Sequence, residues 1–363
     1  YGGLYRGFKN IKYYTLANEV FRRGMFLFWI LLAILFDFQY IVYVIVALIS
    51  TELIINMYLT KRTNSLGINL KSILILEKIK EKKLRNKLVS FSSTVIFINF
   101  MGVILGKIDR IMLGIYKTSE LVGVYKVATL IVVLIGFFHD SSKKVFSSVI
   151  SELYSTDNLE MLEDLYSSIT KWIIILTLPI VINIIYFSET IMNFFGDEYL
   201  IGSSALIVLV ITHMIRVSVG ANGYILKMSG VEKIVLINNF LLAVVNILLN
   251  MIFIPRIGML GAALATGISI SVINLLKIIE VKYFLNIMPY RSSYLHIGIN
   301  ISIIMIISFV VSKYWNNMLA LVLVTSLTIL ISVYISSLFS EELDQVLFTK
   351  IKNKIKKVRL IKK

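Results

Sequence analysis

With 363 residues, 58% of them hydrophobic, and a mean hydropathy of +0.85, the chain is too apolar for a water-soluble enzyme. It has no cysteine, which excludes a disulfide framework and a thiolate metal site. A net charge of +16 would suggest nucleic acid in a soluble protein, but here the cations fall on alternate loops between apolar runs, as at a membrane face.

About ten apolar stretches approach the roughly 20 residues that cross a hydrocarbon core. In chain order they are residues 25–38, 40–58, 88–105, 122–138, 172–187, 205–219, 235–254, 260–276, 294–311 and 318–339. They are apolar on all sides, so they face lipid or other buried helices. The first, fifth and sixth are short, and Arg23, Lys171 and Arg216 flank or end them with stems that can snorkel. The predicted fold class is therefore an all-α membrane protein.

Charge predicts orientation. With the N-terminal segment in the cytoplasm, the cytoplasmic segments hold 31 of the 37 Lys and Arg residues. An even number of spans returns the basic C-terminal tail to the same side. The loop after the fifth span carries only acids, Glu189, Asp197 and Glu198, and is placed outside. Residues 139–171 read as an acidic inner loop. In it, Asp157 with Glu160 is a candidate capping pair for a short helix leading into the fifth span.

Residues 59–87 form the longest basic linker. Leu70, Ile73, Leu76 and Ile79 recur at helical spacing among lysines, which predicts an amphipathic helix on an anionic leaflet or, more plainly, a solvated linker. The tail repeats the pattern. No aromatic platform accompanies either basic run, so nucleic acid is not an expected partner.

Enzyme chemistry finds no foothold. His139, His213 and His296 lack partners at ligand spacing, and no nucleophile elbow, phosphate loop or HExxH is present; neither metal nor cofactor is expected. Ionisable residues within or beside apolar spans are the stronger signal, because they are costly in lipid. Lys107, Asp109 and Arg110 close the third span, and Lys126 lies one turn into the fourth. Asp109 could pair with Arg110 or Lys126 across a hairpin. Two readings stand: interfacial snorkelling with local pairing, or a cationic lining for a phosphate-bearing substrate. Glu52, inside the second span, is a coupling site or a helix-packing partner. Arg216, one turn from His213, snorkels or lines a cavity. Asn99, Asn183, Asn238, Asn239, Asn246 and Asn250 should bond between helices or line a cavity, and Pro179 should kink the fifth span.

Several stretches resemble a known family. Residues 109–129 (DRIMLGIYKTSELVGVYKVAT) are similar to the seventh-to-eighth helix hairpin of polysaccharide flippases. Residues 257–269 (IGMLGAALATGIS) resemble that family's eleventh-to-twelfth turn. Glu198-Tyr199 with Ser204-Ala205, and the basic linker, fit as well. The chain thus resembles the polysaccharide transporter branch of the multidrug/oligosaccharidyl-lipid/polysaccharide exporter superfamily, which includes the O-antigen flippases. The resemblance implies a MATE-like bundle of two lobes around a cavity, with the first four helices lying upstream of Tyr1. It implies that residues 1–58 end the first lobe, 59–87 link the lobes, 88–284 form the second lobe, 285–339 add two helices, and 340–363 are a basic tail. The implied substrate is a polyprenyl-pyrophosphate-linked glycan. Lys107, Asp109, Arg110 and Lys126 would bind it, and Glu52 and Arg216 would serve the cavity or coupling. Membrane lipids, a polysaccharide polymerase and glycosyltransferases are the implied partners, and the cytoplasmic membrane the implied location. The competing readings are a cation-coupled multidrug antiporter, which needs an acid-rich cavity, a lipid II flippase, and a membrane-embedded glycosyltransferase, which needs larger surface loops.

The orientation can be checked directly in a chain without cysteine. A single cysteine placed in residues 59–87 should resist a membrane-impermeant thiol reagent on intact cells, while one in residues 188–204 should react.

Overall fold

The computed structural model describes residues 16–36, 40–65, 82–290 and 295–338, all of it helix or short connection. A π-helical turn (Leu16–Phe21) leads into α1 (Arg22–Phe36) and α2 (Tyr40–Ser65). There follow α3 (Lys82–Tyr116), α4 (Ser119–Ser155), α5 (Leu159–Tyr186), a short α6 (Ser188–Asn193) and a 3-10 turn (Asp197–Gly202). Next come α7 (Ser203–Ser218), α8 (Asn222–Met228), α9 (Glu232–Leu285), α10 (Leu295–Tyr314) and α11 (Met318–Leu338). Contacts divide the chain into two units, residues 1–89 and 90–363. The amphipathic pattern centred on residues 70–79 and the basic tail lie outside the described residues.

In the first unit α1 packs on α2. Arg22 and Glu52 form an ion pair at 3.0 Å, so the acid inside the second span is not a lone one. Edge-to-face contact of Trp29 with Tyr43 adds to the seam. Leu27, Leu31 and Leu35 are exposed, as a lipid-facing helix requires.

The helices outrun the apolar stretches that announce them. At 35 residues, α3 is about 50 Å long, well beyond a hydrocarbon core of about 30 Å. The polar group at Lys107–Arg110 therefore lies inside α3, two turns before its end, instead of closing it. The turn to α4 consists of Lys117 and Thr118 alone. The expected inner loop at 139–171 is likewise mostly helix, since α4 runs to Ser155 and α5 starts at Leu159. Asn158, not Asp157, caps α5: its side chain accepts the Met161 N–H at 3.1 Å. Asp157 instead takes a left-handed φ of 52° in the turn, a conformation that short polar residues tolerate.

In the second unit α5 is the central pillar, packed by α4, α7, α10 and α11. Pro179 does not interrupt it; every residue of α5 keeps helical geometry. Proline has no N–H, so the carbonyl of Ile175 loses its partner within the helix. Ser332 of α11 supplies one, donating to Ile175 O at 3.1 Å. One turn on, the fully buried Asn183 donates to Thr328 of α11 at 3.0 Å and accepts from Ser308 of α10 at 3.0 Å. Polar groups deep in an apolar bundle must find partners within the protein, and these tie the last two helices to the pillar.

Although continuous in assignment, α9 is two helices folded back at Pro255–Gly258. Ile257 leaves helical geometry and Gly258 takes φ 56°, ψ −130°, a region open to glycine alone. Asn238 reaches Glu280 at 2.6 Å and Asn246 reaches Thr266 at 3.2 Å, pairings that converge on the break and make the two arms antiparallel. Gly261 lets them meet, because a Cβ there would collide with the backbone of Phe253.

Among the described residues, five helical segments are long and apolar enough to cross a membrane: Leu159–Tyr186, Asp197–Ser218, Glu232–Leu285, Ile297–Tyr314 and Met318–Leu338. The chain is a multi-pass membrane protein. Ser332→Ala should cost about 0.5–1.5 kcal/mol, the range of a single internal hydrogen bond. Gly258→Ala, forced into a disallowed backbone region, should cost of the order of 1–3 kcal/mol. Thermal unfolding in detergent would register both as lowered midpoints.

Candidate functional site

The second unit holds a half-open cavity of about 500 Å³ walled by α3, α4, α7 and α9. Gly102 and Gly106 recess the α3 wall; a Cβ built on either meets no atom within 4 Å. Leu130, Val133, Leu209 and Ile270 supply an apolar lining. Arg110, Arg216, Lys277 and His213 supply positive charge or donors, and Asp109 is the one acid among the lining residues.

Asp109 pairs with neither Arg110 nor Lys126, contrary to expectation. Thr266 donates to its Oδ2 at 2.5 Å, Asn250 Nδ2 to its Oδ1 at 2.8 Å, and Tyr125 OH to Oδ2 at 3.4 Å. Asn250 Nδ2 also reaches Asn246 Oδ1 at 3.0 Å, and Asn246 donates to Thr266 at 3.2 Å. The carboxylate is thus held by neutral donors from α4 and both arms of α9. The reason lies in the fold: Asn250 and Thr266 are brought beside α3 by the α9 hairpin, while Arg110 donates to the Gly106 carbonyl of its own helix at 2.8 Å. Arg110 and Asp109 share the cavity, but the cation is not consumed by the acid.

The sequence-predicted residues separate accordingly. Asp109, Arg110 and Arg216 come together around the cavity. Lys107 and Lys126 are exposed and are not among its lining residues. Glu52 belongs to the other unit, engaged by Arg22. Lys117 closes the tip of the α9 hairpin, donating to the Pro255 carbonyl at 3.0 Å. Of the six amides, Asn183, Asn238, Asn246 and Asn250 bond between helices, while Asn99 and Asn239 line cavities. Lys277 escaped the sequence reading. Its signal was weak, a lysine at the end of an apolar run that looks like any interfacial charge.

The second unit thus exposes many large apolar side chains and sets Arg110, Arg216, Lys277 and Asp109 around one cavity. Residues 8–204 match the family described as "Polysaccharide biosynthesis protein", and the chain belongs to that family. The "Probable low-salt glycan biosynthesis flippase Agl15" of Haloferax volcanii is 26% identical over 204 residues, 55% of this chain and 43% of that protein. The solved structure "Lipid II flippase MurJ, inward closed conformation" shares the fold, with a TM-score of 0.51 at 21% identity, over 66% of this chain and 53% of that one. The chain therefore spans about half the length of each of these proteins.

The geometry gives a clear stability contrast. Asp109→Asn sets an amide against the donors of Asn250 and Thr266 and should cost about 1–3 kcal/mol. Lys126→Gln, on an exposed face, should stay within about 0.5 kcal/mol of the parent. Unfolding midpoints of the two purified variants would show the difference.

Proposed function

We propose that this chain serves a flippase that carries polyprenyl-pyrophosphate-linked oligosaccharide across the cytoplasmic membrane for surface polysaccharide synthesis. The observation that carries the reading is the cavity's charge balance: three basic side chains, Arg110, Arg216 and Lys277, against one acid already supplied with three donors. An unpaired pyrophosphate is prohibitively costly in hydrocarbon, and guanidinium and ammonium groups offset that cost. A multidrug antiporter that exports cations would call for the opposite balance. The family's description and the archaeal relative's name support the same direction.

In this reading Arg110 and Arg216 meet the anionic head group and Asp109 fixes the α3–α9 wall that presents them. Lys107, one turn from Arg110, and Lys126, next to Tyr125, add positive potential nearby. The Arg22–Glu52 pair supports a packing role for Glu52 rather than a coupling one. The proposed architecture is a MATE-like bundle of two lobes with about ten spans in this chain, the lobe boundaries following residues 58, 87 and 284. The N-terminal segment and the tail lie in the cytoplasm. Alternating access would rock one lobe on the other while the lipid tail trails in the bilayer.

The test is complementation of a flippase-deficient strain with the full-length gene, reading surface polymer. Arg110→Ala should abolish export with normal membrane insertion. Gly106→Phe should do the same by placing a ring in the cavity; its Cβ meets no atom within 4 Å, and membrane insertion and gel filtration check that the variant folds. Normal export by both variants removes the cavity from the transport path.

A further inference from the structure

Between α5 and α7 the chain does not run as an open loop. One side of α6 and of the 3-10 turn after it packs on the bundle. Phe187, Ile191 and Met192 are buried, and a Cβ on Gly202 would stand 2.6 Å from Val124 Cγ1 of α4. The other side is apolar and bare. Phe194 is 68% exposed and Ile201 60%, and Phe195 and Leu200 are exposed as well. Phe194 meets Phe195 edge-on at 5.6 Å between ring centroids, and Phe195 leans on Tyr199 at 6.2 Å.

Two constraints fix the medium around this face. Four large apolar side chains forfeit their transfer free energy if they are left in water. Irregular backbone and carboxylates, in turn, are costly in the hydrocarbon interior. The stretch has both: Gly196 takes φ 132°, and Asp197 and Glu198 are exposed. Only the boundary between headgroups and acyl chains meets both demands. The order of residues in the turn agrees. In a 3-10 helix positions i and i+3 lie one above the other, about 6 Å apart. Leu200 therefore follows Asp197, and Ile201 follows Glu198, on the way into α7. The acids stand at the end away from the span and the aliphatic side chains at the end that joins it.

Neighbouring tips carry the same signature. Thr190 of α6 donates to Asn316 in the turn between α10 and α11. Next to Asn316 in sequence, Tyr314 and Trp315 are exposed, and Lys313 Nζ stands 6.0 Å from the Tyr314 ring centroid. Tyr116, also exposed, ends α3 beside the turn into α4, the helix whose Val124 meets Gly202. Tyrosine and tryptophan gather at membrane–water boundaries because one part of the ring is apolar and the other wet.

We propose that residues 194–201 are a lipid-binding surface that anchors this end of the bundle in the headgroup–acyl boundary of one leaflet. Phe194, Phe195, Leu200 and Ile201 lie among the upper acyl carbons, and Asp197 and Glu198 remain in headgroup water. The anchor holds the adjoining end of α7 at that boundary. Arg216 then lies at most about 20 Å along α7 from Ser203, short of the far side of a core about 30 Å thick. The inference depends neither on the transport reading nor on which leaflet is involved.

The test is electron paramagnetic resonance power saturation on the full-length protein in a cysteine-free background, reconstituted in vesicles of phosphatidylethanolamine and phosphatidylglycerol. One cysteine at a time carries a nitroxide. Labels at Phe194→Cys and Ile201→Cys should favour oxygen, which partitions into acyl chains, over a water-soluble nickel chelate several-fold more than labels at Asp197→Cys and Glu198→Cys. A label at Leu327→Cys, exposed on α11, should lie deeper than all four. Gel filtration shows whether each variant is folded, and Phe195→Cys takes the place of an apolar site that is not. Equal preference at the four positions would put the whole stretch in water and overturn the anchor. Shielding of Phe194→Cys and Ile201→Cys from both colliders would mean that protein covers the face, and would overturn lipid as its occupant.

Discussion

Hydrocarbon offers no hydrogen bonds, so each polar group inside the bundle has to find its partner within the protein. That demand organises the second unit. Pro179 leaves the Ile175 carbonyl without an N–H, and Ser332 on a helix far along the chain meets it. Asn183 answers to two further helices through Thr328 and Ser308. Apolar contact alone cannot choose between helix partners in lipid, because the tails are as apolar as leucine. A few hydroxyls and amides at fixed depth do choose, and they set which helices touch and in what register.

The same demand explains why the cavity keeps unspent positive charge. Had Asp109 paired with Arg110, the cavity would hold a nearly neutral couple. The α9 hairpin instead surrounds the acid with Asn250, Thr266 and Tyr125, and Arg110 bonds to a carbonyl of its own helix. Neutral donors stabilise the carboxylate without cancelling the guanidinium. The cavity keeps a positive balance among its lining side chains.

Hydropathy located the five segments that are long and apolar enough to cross a membrane among the described residues, because runs such as 235–254 and 318–339 admit no other reading in a chain of this composition. It misjudged where they end. Lys107–Arg110 looked like a terminus, yet α3 continues through them to Tyr116. Residues 139–155, read as part of an acidic inner loop, are the continuation of α4. Asp109 and Arg110 were legible as site candidates because ionisable residues beside an apolar run are rare. Their partners were not: Thr266 and Asn250 stand 157 and 141 residues from Asp109, and one sequence carries no distance information across such gaps. Lys277 was hidden by its position at the edge of an apolar stretch.

The fold of α9 at Pro255–Gly258 has a mechanical consequence. At that tip Lys117 grips the Pro255 carbonyl, and nearby Asp109 binds one arm through Asn250 and the other through Thr266. Three helices are knotted together at one end. Toward the opposite end the arms are joined through Asn238 and Glu280, close to where Arg216, Lys227 and Lys277 gather. A pair of tongs riveted at one end can spread its jaws only at the other, so the α9 arms can part only by breaking the Asn238–Glu280 bond, and the knot around Asp109 is the rivet.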